Sequence, residues 1–182
     1  MCLCVKKEKM DLEIFIGRFH PVFVHLPIGF ILMAILLEVI GKRTNKRDKY
    51  QAAIIVSLGL GALTGLIAIL TGWLLAGRGD YNSLSLSFHK WLAIATVVVT
   101  SVLFFIQKFN PQTTFSKSGI LLFSVFGLLS LTGHLGGNLT HGSNYLVEYA
   151  PTFFQKMVGY DKQERLDLSD KSTDSIIVYQ HL

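Results

Sequence analysis

The sequence predicts an all-α integral membrane protein, a four-helix antiparallel bundle, on three observations. Only 16% of the 182 residues are charged while 51% are hydrophobic, against about 25% charged in an ordinary soluble domain. The charges also avoid long stretches: Gln51 to Gly77 and Gly119 to Gly142 contain no Asp, Glu, Lys or Arg. Finally, four apolar segments each approach the roughly 20 residues that a helix needs to cross a bilayer core. This composition excludes disorder and argues against a soluble enzyme, and the length suits one domain.

In chain order the segments are Phe19 to Leu37, Gln51 to Gly77, Phe88 to Ile106, and Ser118 to about His141. A helix at the edge of a soluble core keeps a polar face, whereas these are apolar all round. In the first, Pro21 suits the first helical position after His20. Pro27 lies inside the segment and should free a backbone carbonyl, which membrane helices tolerate when a neighbour re-satisfies it. In the second, Ser57, Gly61 and Gly65 follow a small-xxx-small spacing that permits close helix packing. Trp73 and Trp91 stand near helix ends as interfacial anchors. Gly41 to Tyr50, Gly77 to Ser87, and Gln107 to Lys117 with its Asn110-Pro111 step are the connections.

Three regions follow: an N-terminal polar segment (1–17), the transmembrane domain (18–142), and an extracytoplasmic interfacial segment with a polar tail (143–182). The N-terminus lacks a signal-peptide layout, because its charges lead directly into a segment long enough to remain a membrane helix. Cys2 and Cys4 have no second pair to complete a metal site and read as incidental. Tyr145 to Val158 mixes aromatics with Glu148 and Lys156, which suits the membrane interface.

Lys42, Arg43, Lys46, Arg47 and Lys49 in the first hinge, with Lys108 and Lys117 in the third, assign both to the cytoplasmic side. Both termini and the second loop then lie outside, in the periplasm if the membrane is a bacterial inner membrane. The net charge of +5 indicates anionic lipid rather than nucleic acid, since its densest cluster is one membrane hinge. No nucleophile motif points to hydrolysis.

The antiparallel topology gathers five of the six histidines at one face. His20 and His25 begin the first helix, His89 the third, and His134 and His141 end the fourth. Ionisable groups in membrane segments are functional candidates by default. At about 1.5 Å per residue, His25 lies about 7 Å deeper than His20, and His134 about 10 Å from His141. Depth therefore pairs His25 with His134, with His89 and His141 as a second pair. His20 completes the shallower layer. At about 100° per residue, however, His20 and His25 point about 140° apart, so a regular helix does not offer both to one ligand.

Imidazoles ligate haem iron, copper and zinc alike. A haem also needs a slot beside small residues, which Gly133, Gly136 and Gly137 offer, and cations for its propionates, which Arg18, Arg78 and Lys90 offer. One or two b-type haems are the first expectation. Copper or zinc on His25, His134, His89 and His141 is the alternative, and a structural anchor subunit with merely interfacial histidines is a third reading.

The stretches FHPVFVHLPIG from Phe19, HKWLAIAT from His89 and GHLGGNLTHG from Gly133 resemble a family of bacterial membrane proteins known as domain of unknown function 2231. The resemblance covers about residues 18 to 150. It implies a four-helix membrane domain, for which haem has been suspected from the histidines, often followed by a c-type cytochrome module. The closing Ile176 to Leu182 resembles the approach to such a module. With no Cys-x-x-Cys-His in this sequence, the haem protein is either separate or in a longer chain. The expected activity is cytochrome b-like electron transfer, from a membrane donor such as a quinol to an extracytoplasmic c-type cytochrome, alone or among other subunits of a membrane complex.

Overall fold

A computed structural model describes residues 11–77, 81–110, 115–142 and 145–157, with backbone only for 115–119. The described residues are helical throughout, with no strands. The helices are α1 (11–17), α2 (His20–Phe23), α3 (His25–Arg43), α4 (Arg47–Ala76), α5 (Ser83–Phe109), α6 (Phe115–His141) and α7 (Thr152–Met157). Four stretches are long and apolar enough to cross a membrane: Asp11–Arg43, Arg47–Ala76, Ser83–Phe109 and Ile120–His141. The first three begin or end within the polar flanks assigned above, because hydropathy marks the hydrocarbon core while the helix runs on among the headgroups. Helical residues 11–17 accordingly lie in the segment read as polar N-terminus.

The helix of the first span is interrupted twice, and its prolines account for both interruptions. Pro21 cannot donate to the carbonyl of Gly17, and the helix lapses at residues 18–19; Pro27 cannot donate to Phe23, and it lapses again at Val24. Bonds from Phe19 N to Ile16 O (3.1 Å) and Val24 N to His20 O (3.0 Å) carry the chain across the lapses. His20, not Pro21, is the first residue of α2. At the other helix ends, Asn82 caps α5 by accepting from Ser85 N at 3.0 Å. Gly142 ends α6 at φ +89°, a left-handed turn in which glycine pays no Cβ penalty.

The chain divides into two compact units, Met1–Gly136 and Gly137–Leu182. The core of the first joins all four long helices: Ile31 and Ala34 of α3, Ile54 and Leu58 of α4, Leu103 of α5, and Leu122 and Val125 of α6. The small residues of α4 make this approach possible. A Cβ on Gly61 would lie 3.1 Å from Ile31 Cγ1, and one on Gly65 only 2.7 Å from Val97 Cγ2. The spacing read from Ser57, Gly61 and Gly65 thus serves packing, and all three are buried. In the second unit, Gln155 Nε2 donates to the carbonyls of Val147 (3.1 Å) and Glu148 (3.0 Å). Its apolar side chains Tyr145, Leu146, Tyr149, Phe153, Phe154 and Met157 are exposed.

The bundle has two polar poles. At one, α3, α4 and α5 are tied by a buried network: Arg47 Nε donates to Glu38 Oε1 (2.7 Å), Arg47 Nη2 to Gln107 Oε1 (2.8 Å), and Gln51 Nε2 to Gln107 Oε1 (3.1 Å). Glu38 and Gln107 are 0% and 1% exposed. The carboxylate is held by the first residue of the next helix.

Gly65→Ala is expected to destabilise the protein by about 1–3 kcal/mol through overpacking, although alanine favours helix. Pairing it with Val97→Ala should recover part of the loss in thermal unfolding in detergent, and no recovery would count against this contact. Glu38→Ala, which strands Arg47 and Gln107, should cost about 3 kcal/mol, whereas a Glu38→Met, Arg47→Met double variant should cost less. Denaturant unfolding measures the difference.

Candidate functional site

The second pole of the first unit holds His20 and His89, and the proline-interrupted entry helix carries the first of them. The lapse before α2 turns His20 towards α4, where its Nδ1 lies 2.9 Å from the carbonyl oxygen of Ala68. That oxygen also accepts from Thr71 Oγ1 at 3.0 Å. The ring rests on Gly72, where an added Cβ would lie 2.8 Å from His20 Cε1. A side chain there would evict the imidazole.

His89 repeats the arrangement between α5 and α6. Its Nδ1 lies 3.0 Å from the carbonyl oxygen of Thr132, and its Cε1 would be 3.1 Å from a Cβ on Gly136. Thr132 is itself fixed, its hydroxyl donating to Leu128 O at 2.7 Å and lying 3.4 Å from Thr96 Oγ1. The two half-buried rings meet with centroids 6.4 Å apart and planes at 86°.

A backbone carbonyl only accepts, so the Nδ1 facing it must carry the proton. In the neutral ring, Nε2 then holds the lone pair. Each imidazole is therefore fixed in tautomer and orientation by a carbonyl, the second-shell arrangement that metal-ligating histidines commonly show. Among the described residues no group of three or more His, Cys, Asp or Glu lies together to hold a metal ion.

The two other histidines of the first unit are both exposed. His25 is exposed on α3, with its Nδ1 against the carbonyl of Pro21 in the preceding turn at 2.5 Å. His134 is also exposed. His141 belongs to the second unit, where its ring stacks on Tyr145 at 4.4 Å and 23°. Arg18 is exposed in the turn between α1 and α2, and Lys90, next to His89, sets its ammonium 5.6 Å from the centre of the Trp73 ring. Gly137 belongs to the second unit and has open space at its Cβ position. Arg78 lies outside the described residues.

Sequence reasoning placed His20, His89 and His141 in one layer but did not pair His20 with His89, and it missed Ala68, Gly72 and Thr132. Gly72 had a readable signal, because it continues the small-residue face of α4 one turn beyond Ala68. The two carbonyl partners had none, since every residue carries a carbonyl.

Nitrogen-15 spectra of histidine-labelled protein should show His20, His25 and His89 as Nδ1–H tautomers, assigned by single replacements. Gly72→Ala should shift the His20 signals while leaving those of His89 in place. An Nε2–H tautomer at His20 or His89 would overturn the assignment of the carbonyl bonds.

A family model described as a predicted membrane protein (DUF2231) matches residues 18–147. No curated protein and no solved structure matches the chain.

Proposed function

The chain belongs to the DUF2231 family of predicted membrane proteins, and from that footing we propose that it is a cytochrome b-like electron-transfer subunit holding haem between His20 and His89. The observation that carries the reading is the ring pair itself: two imidazoles at 6.4 Å and 86°, each with Nδ1 on a backbone carbonyl. His20 and His89 take the place of the His25 and His134 pair because the latter two are exposed on their helices.

A haem held in this way supplies one-electron exchange between ferric and ferrous iron. The chain's own residues do the rest. Ala68 and Thr132 keep the Nδ1 protons, leaving both Nε2 lone pairs for ligation. Gly72 and Gly136 keep the backbone close behind each ring, which limits ring rotation. Arg18 and Lys90 supply positive charge for propionates at the same pole. The donor is a reduced quinone in the membrane and the acceptor a c-type cytochrome, with the histidine pole facing the periplasm of a bacterial inner membrane.

The pairing of only two histidines favours haem over copper or zinc. A structural zinc takes four protein ligands and a catalytic one three, whereas a macrocycle brings four nitrogens and asks the protein for two. Haem-replete expression followed by a reduced-minus-oxidised spectrum, with metal analysis on the same sample, tests the reading. Bands of low-spin haem b are expected, lost in His20→Ala and His89→Ala and retained in His25→Ala. Bound copper or zinc without haem would shift the reading to a metal site, and neither would leave a structural membrane subunit.

A further inference from the structure

At the pole opposite the histidines, the α3–α4 hinge carries a surface of one charge. Lys42, Arg43, Lys46, Lys49 and, at the end of α5, Lys108 are exposed there, with Asp48 the one exposed acid among the described residues of these helix ends. Among the described residues of the first unit's histidine pole, Arg18 and Lys90 are matched in number by Asp11 and Glu13.

The hinge is also built tightly. Its turn spans residues 44–46, with Asn45 at φ +54°, and hinge N–H groups close the end of α3: Thr44 N to Ile40 O at 2.9 Å and Lys46 N to Gly41 O at 2.9 Å. A Cβ on Gly41 would lie 3.0 Å from Arg47 Cα, so the two helix ends are nearly in backbone contact. Arg47 turns inward to Glu38 and Gln107 and fixes the hinge to α5. The remaining cations are thus displayed from a rigid corner.

Depth places that corner among headgroups. The 30 residues of α4 rise about 45 Å, against about 30 Å of hydrocarbon, so its first turns lie outside the apolar layer. Lys108 is drawn back along the rings of Phe104 (5.6 Å) and Phe109 (5.9 Å), an apolar stem with its charge at the boundary.

We propose that the α3–α4 hinge is a binding site for anionic phospholipid headgroups, with Lys42, Arg43, Lys46 and Lys49 meeting the phosphate and Lys108 flanking it. Charge complementarity selects an anionic lipid over a zwitterionic one. Each cation near an anionic surface is worth about 1 kcal/mol, close to fivefold in affinity, so four give a preference well above one decade.

The test is native mass spectrometry of the purified full chain, titrated with phosphatidylglycerol or phosphatidylcholine in detergent. Wild type should retain phosphatidylglycerol at least tenfold more strongly. The Lys42→Gln, Arg43→Gln, Lys46→Gln, Lys49→Gln variant should lose most of that preference, and Lys46→Gln, Lys49→Gln, which leaves the α3 end untouched, should show a partial loss should the fourfold variant fail to fold. Equal retention of both lipids by wild type, or an unchanged preference in the double variant, would overturn the proposal. Displacement of the lipid by millimolar inorganic phosphate would instead identify a site for the free anion.

Discussion

Everything in the bundle depends on how closely α4 lets its neighbours approach. Its buried face runs through Ser57, Gly61, Gly65, Ala68 and Gly72, and the contacts made there are specific: Ile31 of α3 at Gly61, Val97 of α5 at Gly65, and the imidazole of His20 at Gly72. Between lipid-solvated helices, association rests on packing and hydrogen bonds rather than on the hydrophobic effect. Removing side chains from one face of one helix is therefore the device that brings the first and third spans onto it. It also exposes the carbonyl of Ala68 to a ring from another helix, which a bulky neighbour would cover.

The same low-dielectric surroundings explain why polar groups are paired at two poles, although Glu38 Oε2 and Gln51 Oε1 are buried without a hydrogen-bond partner. A polar group in hydrocarbon must find its partner within the protein. Glu38 finds Arg47 across a three-residue hinge, and Gln107 receives both Arg47 and Gln51. The threonines and serines of the spans donate back to carbonyls in the preceding turn, as Thr100 does to Thr96 O at 2.7 Å. His20 and His89 differ, because each uses one nitrogen in this way and keeps the other.

The fold was legible in the sequence because it is governed by a one-dimensional quantity, the length of uncharged apolar runs. All four spans, their order and the packing role of the small residues in α4 follow from it. Helix ends were less legible: Arg47 and Ser83 start helices well before the apolar runs begin, since a helix among headgroups needs no apolar side chains. The candidate site was half legible. Topology gathers the histidines at one face, but depth from an ideal helix favours His25 with His134, and Pro21 and Pro27 break that ideality where it matters. The angular argument, which separates His20 from His25, carries the information that depth lacks, and in the structure one ring is turned to α4 while the other is exposed.

The proposed function rests on how the ring pair differs from a set of satisfied core histidines. A neutral imidazole that only stabilises a core can use both nitrogens, donating from one and accepting at the other. Here two independent helix pairs each commit Nδ1 to a carbonyl and place a glycine against the ring, and in both the nitrogen left over is the one with the lone pair. Two half-buried acceptors brought together across one bundle gain nothing from each other, because neither has a proton to give. Under the proposed function, His20 and His89 would be the residues that hold a haem iron, each through the nitrogen that its carbonyl bond leaves over.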